Sequence, residues 1–239
     1  LVGPVSPLGT MLQVMAGITL SFRLKGADRV GMVFHGDGAS STGAWHEGLG
    51  VAAALRCPLI LMVEANAWAF STPTAKQTRV GSFVEKAPAY GVRGVSVDGN
   101  DPVEVHEAVR EAAARVRAGE GPRMVELRTY RRKGHAQHDP QDYVDADELR
   151  AWEEKDPVEG MRRRLVEAGL AGEEELDGRR AAILEEIREA AQRAVAEPLP
   201  DGVGALDGVY ADVGVPMPWT RLPVPDPGGR VSRAATPKG

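Results

Sequence analysis

The sequence predicts an α/β protein with a doubly wound, mostly parallel sheet, followed by C-terminal helices and a Pro-rich tail. Short apolar segments of strand length alternate with longer segments whose apolar residues recur at helical spacing. This alternation is typical of a parallel sheet with helices on both faces. Eight of the 17 prolines lie in residues 197–239, so we divide the chain into a domain of residues 1–196 and a tail or linker of residues 197–239.

Two helices and two strands are predicted in the first part of the chain. Gly26 follows the first segment of helical periodicity and is a typical helix stop. The second strand is apolar throughout, as expected of a strand buried on both faces. The turn Gly36-Asp37-Gly38 separates the first strand from the second helix. In order, these elements are a helix over Leu8–Lys25, a strand over Gly31–His35, a helix over Gly43–Arg56 and a strand over Pro58–Glu64.

The same alternation continues in the second part. Asp101 and Pro102 stand at the start of one predicted helix, and Asp156-Pro157 opens another. Gly134, Pro140 and two histidines lie in the polar loop after the last strand. In order, the elements are a strand over Arg93–Asp98, a helix over Val103–Ala118, a strand over Arg123–Tyr130, a loop over Arg131–Asp147, a helix from Pro157 to about Ala168 and a helix over Glu173–Ala196.

Composition excludes several classes of protein. A formal net charge of -5 gives no electrostatic basis for binding nucleic acid. No apolar run approaches the roughly 20 residues that a membrane span needs, so we expect no membrane association. Cys57 is the single cysteine, so we expect a reducing compartment, namely the cytoplasm, or the mitochondrial matrix if the protein is eukaryotic. Because the chain begins at Leu1 in Gly/Pro-rich sequence, we expect a fragment that begins within a longer protein.

Polar side chains follow three of the predicted strands, and these are Asp37, Asn66 and His135. Ligands of open parallel sheets bind beyond the carboxyl ends of the strands, where these residues would meet. Asp37 between two glycines suits a hard cation, and the helix start after it favours a phosphate group. The side-chain amide of Asn66 and the backbone carbonyl of Trp68 would be further oxygen ligands, which is the chemistry that Mg²⁺ prefers.

Other interpretations of these motifs are weaker. A Gly-Asp-Gly segment alone is a common turn. A dinucleotide site would need a third glycine, and Ser41 occupies that position. His46-Glu47 is not followed by a histidine at position 50, so it is not a zinc-protease motif. A transition-metal site at His135, His138 and Asp139 is a further alternative, but loop histidines are more often exposed or have other functions.

The spacing of these motifs resembles a known cofactor fingerprint. The pattern is similar to the motif of proteins that bind thiamine diphosphate. It consists of Gly-Asp-Gly, about 27 intervening residues and then Asn at the end of a second strand. Residues 1–211 resemble the alpha subunits of the decarboxylating component of 2-oxo acid dehydrogenase complexes, a family that acts on branched-chain 2-oxo acids, pyruvate or acetoin. The similar segments are Gly36–Leu49, Glu64–Thr74, Val97–Asp101, Gly121–Arg131, Gly134–His135, Asp139–Pro140, Trp152–Pro157 and Gly208–Ala211.

The resemblance implies a thiamine-diphosphate-binding fold and a role for each matching residue. Asp37 and Asn66 would bind Mg²⁺ by their side chains and Trp68 by its carbonyl. The remaining cofactor-binding positions would be Gly38 and Ala39 against the diphosphate, Ser6 and Leu8 near the aminopyrimidine end or the centre of the cofactor, and His135 on a loop. His135 would also be the active-site histidine, donating to the diphosphate and assisting acyl transfer to a lipoyl group.

The implied function is oxidative decarboxylation of a 2-oxo acid with acyl transfer to a lipoyl group. We expect activity only with a separate beta subunit, in a heterotetramer that works with a lipoyl-bearing acyltransferase. Ser71 to Thr74 and an apolar pocket of Leu8 and Trp68 favour branched-chain substrates. Pyruvate and acetoin remain alternatives, and so does a catalytically silent scaffold of the same fold, to which Ala65 points.

Three positions depart from the family pattern. Ala65 replaces a usual Asn and removes a polar group near the metal loop, which is the loop that contains the expected Mg²⁺ ligands Asn66 and Trp68. Met11 replaces the Gln of members that bind potassium, although Thr10 remains. Ala136 replaces the serine that is phosphorylated in mammalian members, so we predict no such regulation. The tail from Glu197 is either an arm that wraps a neighbouring subunit or a linker to a fused beta half.

Overall fold

A four-stranded sheet forms the centre of the fold, and all three neighbouring pairs of strands are parallel. The computed structural model describes residues 2–3, 6–199 and 201–206. The strands are β1 (Gly31–Gly36), β2 (Leu59–Ala65), β3 (Trp68–Ala69), β4 (Thr72–Pro73), β5 (Arg93–Asp98) and β6 (Arg123–Arg128). The order in the main sheet is β1-β2-β6-β5, and β3 pairs with β4 in a separate antiparallel hairpin.

The helices connect the strands and continue beyond β6. They are α1 (Thr10–Leu24), α2 (Gly43–Ala54), α3 (Thr74–Gln77), α4 (Pro102–Arg117), α5 (Ala146–Glu153), α6 (Pro157–Glu167) and α7 (Glu173–Ala196). Short 3₁₀ helices occupy Asp37–Ser41, Phe83–Tyr90 and Gly202–Leu206. The predicted alternation of strands and helices is confirmed, and the last long helix has the predicted bounds.

Two apolar clusters pack on opposite faces of the sheet, as a doubly wound fold requires. On one face, Leu59, Leu61 and Val63 of β2 pack with residues of α1, α2 and the 3₁₀ helix Phe83–Tyr90. On the other face, Ile60 and Met62 pack with residues of α4. All five side chains are buried, because β2 is an inner strand with helices on both sides. The prediction of a strand buried on both faces is confirmed.

Side-chain caps fix where several helices begin. Asp101 accepts hydrogen bonds from the backbone N–H groups of Val103 and Glu104 at the start of α4. Asp156 accepts hydrogen bonds from the backbone N–H groups of Val158 and Glu159 at the start of α6. In both cases a proline is the first helical residue, where its missing N–H has no cost. The Asp-Pro pairs in the sequence therefore mark the helix starts correctly.

The structure corrects the sequence-based elements in the loops. The predicted loop Arg131–Asp147 ends earlier, because Asp145 caps α5 by accepting from Asp147 and Glu148. The last strand ends at Arg128 and not at Tyr130. α3, the β3–β4 hairpin and the 3₁₀ helices were not predicted, because these elements are too short to show a hydrophobic period.

The chain divides into two compact units, of which the first spans Gly3–Leu170 and the second comprises the residues from Ala171 onward together with Leu1–Val2. The sheet and α1 to α6 lie in the first unit, whereas α7 belongs to the second and has no buried residue. The proposed domain boundary after residue 196 stays a prediction, as does the role of the tail, because residues 200 and 207–239 lie outside the described residues. Among the described helices, none combines the length and apolar character of a membrane span.

Candidate functional site

The carboxyl ends of β1, β2 and β6 lie at the same edge of the sheet. Gly36 pairs with Glu64 in the register of β1 and β2, and Ala65 pairs with Arg128 in that of β2 and β6. Asp37 and Asn66 therefore follow directly after two neighbouring parallel strands. A Cβ atom built on Gly36 would lie 4.0 Å from Nδ2 of Asn66. The structure thus brings the Asn66 side chain to the residue before Asp37, as the topology predicts.

Asp37 is buried, with 2% of its surface exposed. Its Oδ1 accepts a hydrogen bond of 2.8 Å from the backbone N–H of Gly38. Its Oδ2 accepts from Oγ1 of Thr74 at 3.2 Å and from Nε2 of Gln77 at 3.0 Å. Sequence reasoning singled out neither Thr74 nor Gln77 as a site residue. Their only sequence signal is an i, i+3 spacing that places both side chains on one face of α3.

Gly38 has almost no space for a side chain. A Cβ atom at this position would lie 2.7 Å from Cβ of Ala69 in β3. Ala69 follows Trp68, so the 3₁₀ helix that begins with Asp37 packs directly against the β3–β4 hairpin. Ala39, the next residue, is buried in the same 3₁₀ helix. The glycine is therefore needed for the close approach of the two loops, whatever binds there.

Two residues of the loop after β2 have left-handed backbone conformations without being glycine. The φ angle is 71° at Ala67 and 51° at Phe70. The loop is held by hydrogen bonds from the Trp68 N–H to Oδ1 of Asn66, at 3.2 Å, and from the Thr74 N–H to the Ala67 carbonyl, at 3.0 Å. Such conformations cost free energy and persist only where the surroundings enforce them, which is common at functional sites.

Trp68 is held by its side chain and by its backbone. The indole Nε1 donates to the hydroxyl of Tyr130 at 3.0 Å, and the ring centroid lies 5.1 Å from that of Tyr143. The carbonyl oxygen of Trp68 accepts from Nη1 of Arg131 at 3.2 Å. The expected backbone ligand therefore already has one hydrogen-bond donor. A carbonyl oxygen has two lone pairs, so one position stays open for a cation.

His135 lies on the exposed loop after β6 and contacts the loop after β2. Its ring centroid is 5.0 Å from that of Phe70, in an edge-to-face arrangement. Oδ2 of Asp139 accepts from the backbone N–H of His135 at 2.7 Å and from the hydroxyl of Tyr143 at 2.6 Å. The Tyr143 hydroxyl, followed by the His135 N–H, holds the pKa of Asp139 below its ordinary value. The structure thus brings the predicted histidine to the predicted metal loop.

Ser6 and Leu8 precede α1 and are exposed, with 66% of Leu8 accessible. Gly9 follows them with a φ of 81°, and a Cβ atom there would lie 3.1 Å from the backbone nitrogen of Trp45. Gly9 therefore packs on the start of α2, directly after the 3₁₀ helix that contains Asp37. Its role in cofactor binding, and an apolar pocket shared with Trp68, stay predictions.

A cavity of about 410 Å³ opens at the same edge of the sheet. Ala65 and Ala67, on either side of Asn66, contribute to its wall. The remaining lining residues are Thr74, Gly81, Phe83, Asp98, Glu126, Arg128, Thr129, Trp152 and Lys155. Because Ala65 has no polar atom in its side chain, it adds only apolar surface next to the candidate site.

The candidate ligands are chemically suited to magnesium. One carboxylate oxygen, one amide oxygen and one carbonyl oxygen form a set of hard donors, to which Mg²⁺ adds water and phosphate oxygens. The described part of the chain contains no group of three or more His, Cys, Asp or Glu residues that could hold a metal. The alternative of a transition-metal site at His135, His138 and Asp139 therefore finds no support.

Comparison with known proteins places the chain in a family. The model of the family described as "Dehydrogenase E1 component" matches residues 1–202. A pyruvate dehydrogenase E1 component subunit alpha-3 of Arabidopsis thaliana is 39% identical over 185 residues, which are 77% of this chain and 43% of that protein. The pyruvate dehydrogenase E1 component subunit alpha of Staphylococcus aureus is 38% identical over 189 residues, which are 77% of this chain and 51% of that protein.

The chain thus spans about half the length of these curated relatives. A crystal structure described as that of a thiamin diphosphate-dependent enzyme from Mycobacterium smegmatis is 21% identical, covers 52% of this chain and 22% of that one, and has a TM-score of 0.41. That likeness is too distant to support a conclusion. The match over residues 1–202 is extensive, and it confirms the resemblance seen in the motifs. The chain therefore belongs to the dehydrogenase E1 component family, within which it is similar to alpha subunits.

Proposed function

We propose that this chain is the cofactor-binding alpha subunit of a thiamine-diphosphate-dependent 2-oxo acid dehydrogenase. The reaction would be oxidative decarboxylation with transfer of the acyl group to a lipoyl group. The observation that carries the proposal is the meeting of Asp37 with the loop from Asn66 to Gln77 at the carboxyl edge of the sheet. Family membership supports the same reaction class.

In this proposal the oxygens of Asp37, Asn66 and Trp68 hold Mg²⁺. Gly38 and Ala39 would lie against the diphosphate of the cofactor, and the close contact of Gly38 with Ala69 would fix the position of their backbone. Ser6 and Leu8 contact the cofactor nearer its aminopyrimidine end or its centre. Thiamine diphosphate, when bound, supplies the electron sink that stabilises the carbanion left by the loss of carbon dioxide. The protein binds and orients the reactants.

His135 is the proposed catalytic residue of this chain. An imidazole can donate or accept a proton near neutral pH, which suits hydrogen bonding to a diphosphate and proton transfer during acyl transfer. Its exposure on the loop leaves the ring accessible to a lipoyl group. The contact with Phe70 and the bond to Asp139 support a defined position for it next to the metal loop.

The proposed partners are a beta subunit, with which the chain would form a heterotetramer, and a lipoyl-bearing acyltransferase. Two substrates compete. The relatives compared above are pyruvate dehydrogenases by name, which favours pyruvate, whereas the sequence Ser71 to Thr74 and the side chains of Leu8 and Trp68 favour a branched-chain 2-oxo acid. One methylene group changes discrimination by only about 1–3 kcal/mol, so the substrate must be determined by assay.

The test is a dye-coupled decarboxylation assay of the full-length alpha subunit co-expressed with its beta subunit. Thiamine diphosphate and Mg²⁺ are supplied with pyruvate, 3-methyl-2-oxobutanoate, 2-oxoglutarate or acetoin in turn. We expect turnover of one substrate and loss of Mg²⁺-dependent cofactor binding in Asp37→Ala, measured by calorimetry. Cofactor binding without turnover would mean that the substrate is not one of these four compounds. A well-assembled complex that binds no cofactor would refute the proposal.

A further inference from the structure

The one-turn helix α3 directs two donors at a single oxygen of Asp37. Thr74 and Gln77 are its first and last residues, and their side chains lie on the same face because they are three positions apart. Oγ1 of Thr74 and Nε2 of Gln77 both donate to Oδ2. Neither donor reaches Oδ1, whose partner is the N–H of Gly38. The two oxygens of the carboxylate therefore have different surroundings.

The orientation of the Gln77 amide is fixed by its partners. Nε2 also donates to the carbonyl of Thr72 at 3.0 Å, and both of its partners are acceptors. An amide oxygen in that position would face two other oxygens, so the nitrogen must occupy it. The amide oxygen Oε1 is left buried without a hydrogen-bond partner. Burying an acceptor in this way is destabilising, which argues that the contact with Asp37 serves something other than stability.

The Asp37 carboxylate keeps one lone-pair site that accepts no hydrogen bond. An ionised carboxylate has about four lone-pair sites. Thr74 and Gln77 occupy the two on Oδ2, and Gly38 occupies one on Oδ1. The site that remains is on Oδ1. We propose that Thr74 and Gln77 are positioning residues that block Oδ2, so that Asp37 offers a cation a single oxygen and selects Mg²⁺ over Ca²⁺.

The selectivity follows from coordination chemistry, and the inference rests on the proposed function. Mg²⁺ demands near-ideal octahedral geometry with short bonds, for which one carboxylate oxygen is appropriate. Ca²⁺ accepts six to eight ligands and often takes both oxygens of a carboxylate. Blocking Oδ2 therefore disfavours Ca²⁺ specifically. Removing a hydrogen bond to Oδ2 should make this second oxygen available to the cation and reduce the preference of the site for Mg²⁺.

The experiment measures metal-dependent binding of thiamine diphosphate to the alpha–beta complex by calorimetry, with Mg²⁺ or Ca²⁺ titrated in turn. Gln77→Leu and Thr74→Val remove one donor each at similar volume. We expect the affinity for Mg²⁺ to fall roughly 10-fold, as for other residues that orient a metal ligand, and the ratio of Mg²⁺ to Ca²⁺ affinity to fall by a similar factor. Thr74→Ser keeps the hydroxyl and should preserve the ratio.

Gln13→Leu is the matched control. Gln13 also donates its amide to a carboxylate, that of Glu47 at 3.0 Å, but on the exposed surfaces of α1 and α2, so both affinities should be unchanged. Equal weakening of Mg²⁺ and Ca²⁺ binding in Gln77→Leu and Thr74→Val would overturn the inference, as would no change in either. If the wild-type complex binds neither metal with the cofactor, it is the proposed function that fails. Circular dichroism verifies that each variant is folded.

Discussion

Nη1 of Arg131 donates a hydrogen bond of 3.2 Å to the backbone carbonyl of Trp68. The same guanidinium donates through Nη2 to the Phe70 carbonyl at 2.7 Å and to the hydroxyl of Tyr143. Arg131 therefore connects the loop after β2 with the loop that contains His135. Because a guanidinium has five donors in a fixed plane, it can hold both loops at once.

Replacing Arg131 with lysine should loosen both loops. A lysine keeps the charge but cannot reproduce the planar set of donors, so we expect amide hydrogen exchange in residues 66–71 and 134–143 to accelerate by roughly 10-fold. Arg132→Lys is the control, because Arg132 pairs with Asp156 instead. Unchanged exchange in both loops of Arg131→Lys, measured by mass spectrometry, would show that the connection is unimportant.

Gly38→Ala should weaken cofactor binding without unfolding the protein. The added methyl would lie 2.7 Å from Cβ of Ala69, so the 3₁₀ helix and the hairpin must move apart. Such a shift at a binding site changes affinity far more than global stability, and a loss of about 10-fold or more is expected. Calorimetry with thiamine diphosphate and Mg²⁺ measures it.

Gly17→Ala is the matched control for that substitution. A Cβ atom at Gly17 would meet nothing within 4 Å, and the residue is exposed in the middle of α1. Alanine is favoured over glycine inside a helix by up to about 1 kcal/mol. We therefore expect a small rise in stability and unchanged cofactor affinity. Equal affinities of the Gly38→Ala variant and the wild type would contradict the proposed position of the cofactor.

Glu126→Gln should destabilise the fold. This buried carboxylate in β6 accepts from the hydroxyl of Ser82 and from the N–H groups of Phe83 at 2.9 Å and Val84 at 3.5 Å. It thereby anchors the 3₁₀ helix Phe83–Tyr90 to the sheet. An amide turns one acceptor into a donor that faces other donors, which costs about 1–3 kcal/mol. Urea unfolding provides the measurement.

Glu120→Gln provides the comparison for Glu126. Glu120 pairs with Arg115 and Arg123 near the solvent, and exposed ion pairs contribute at most about 1 kcal/mol. We therefore expect a clearly smaller loss of stability than in Glu126→Gln. Equal losses of unfolding free energy in the two variants would show that burial and the three donors around Glu126 do not stabilise the fold more than the ion pairs of Glu120 do.

Cys57 should resist thiol reagents in the folded chain. Burial raises the pKa of its thiol above the ordinary value, so the reactive thiolate is scarce at pH 8. We expect labelling by iodoacetamide to be at least about 100-fold slower in the native complex than in urea. The raised pKa also implies a contribution to stability that is present below the ordinary thiol pKa and lost as pH rises through the raised one. Rapid labelling of Cys57 in the native complex would contradict its predicted resistance to thiol reagents.

The motifs in the sequence predicted which residues form the candidate site, but not which other residues hold their side chains in place. Gly36-Asp37-Gly38 and Asn66 were found because each follows an apolar run, and the order of parallel strands does bring them to one edge of the sheet. Thr74, Gln77 and Arg131 were missed as supporting residues. They are ordinary polar residues in loops or in a four-residue helix, and their partners among the candidate ligands, Asp37 and Trp68, are 37 to 63 positions away in the chain.

The sequence by itself determined the fold class, the order of strands and helices along the chain and the family. These follow from local periodicity, capping residues and motifs of fixed spacing. Only the tertiary structure decided the order of strands across the sheet, the left-handed conformations at Ala67 and Phe70, and the hydrogen bonds on Asp37. Those features depend on which distant residues come into contact, and pairwise contacts between remote positions leave no period in a single sequence.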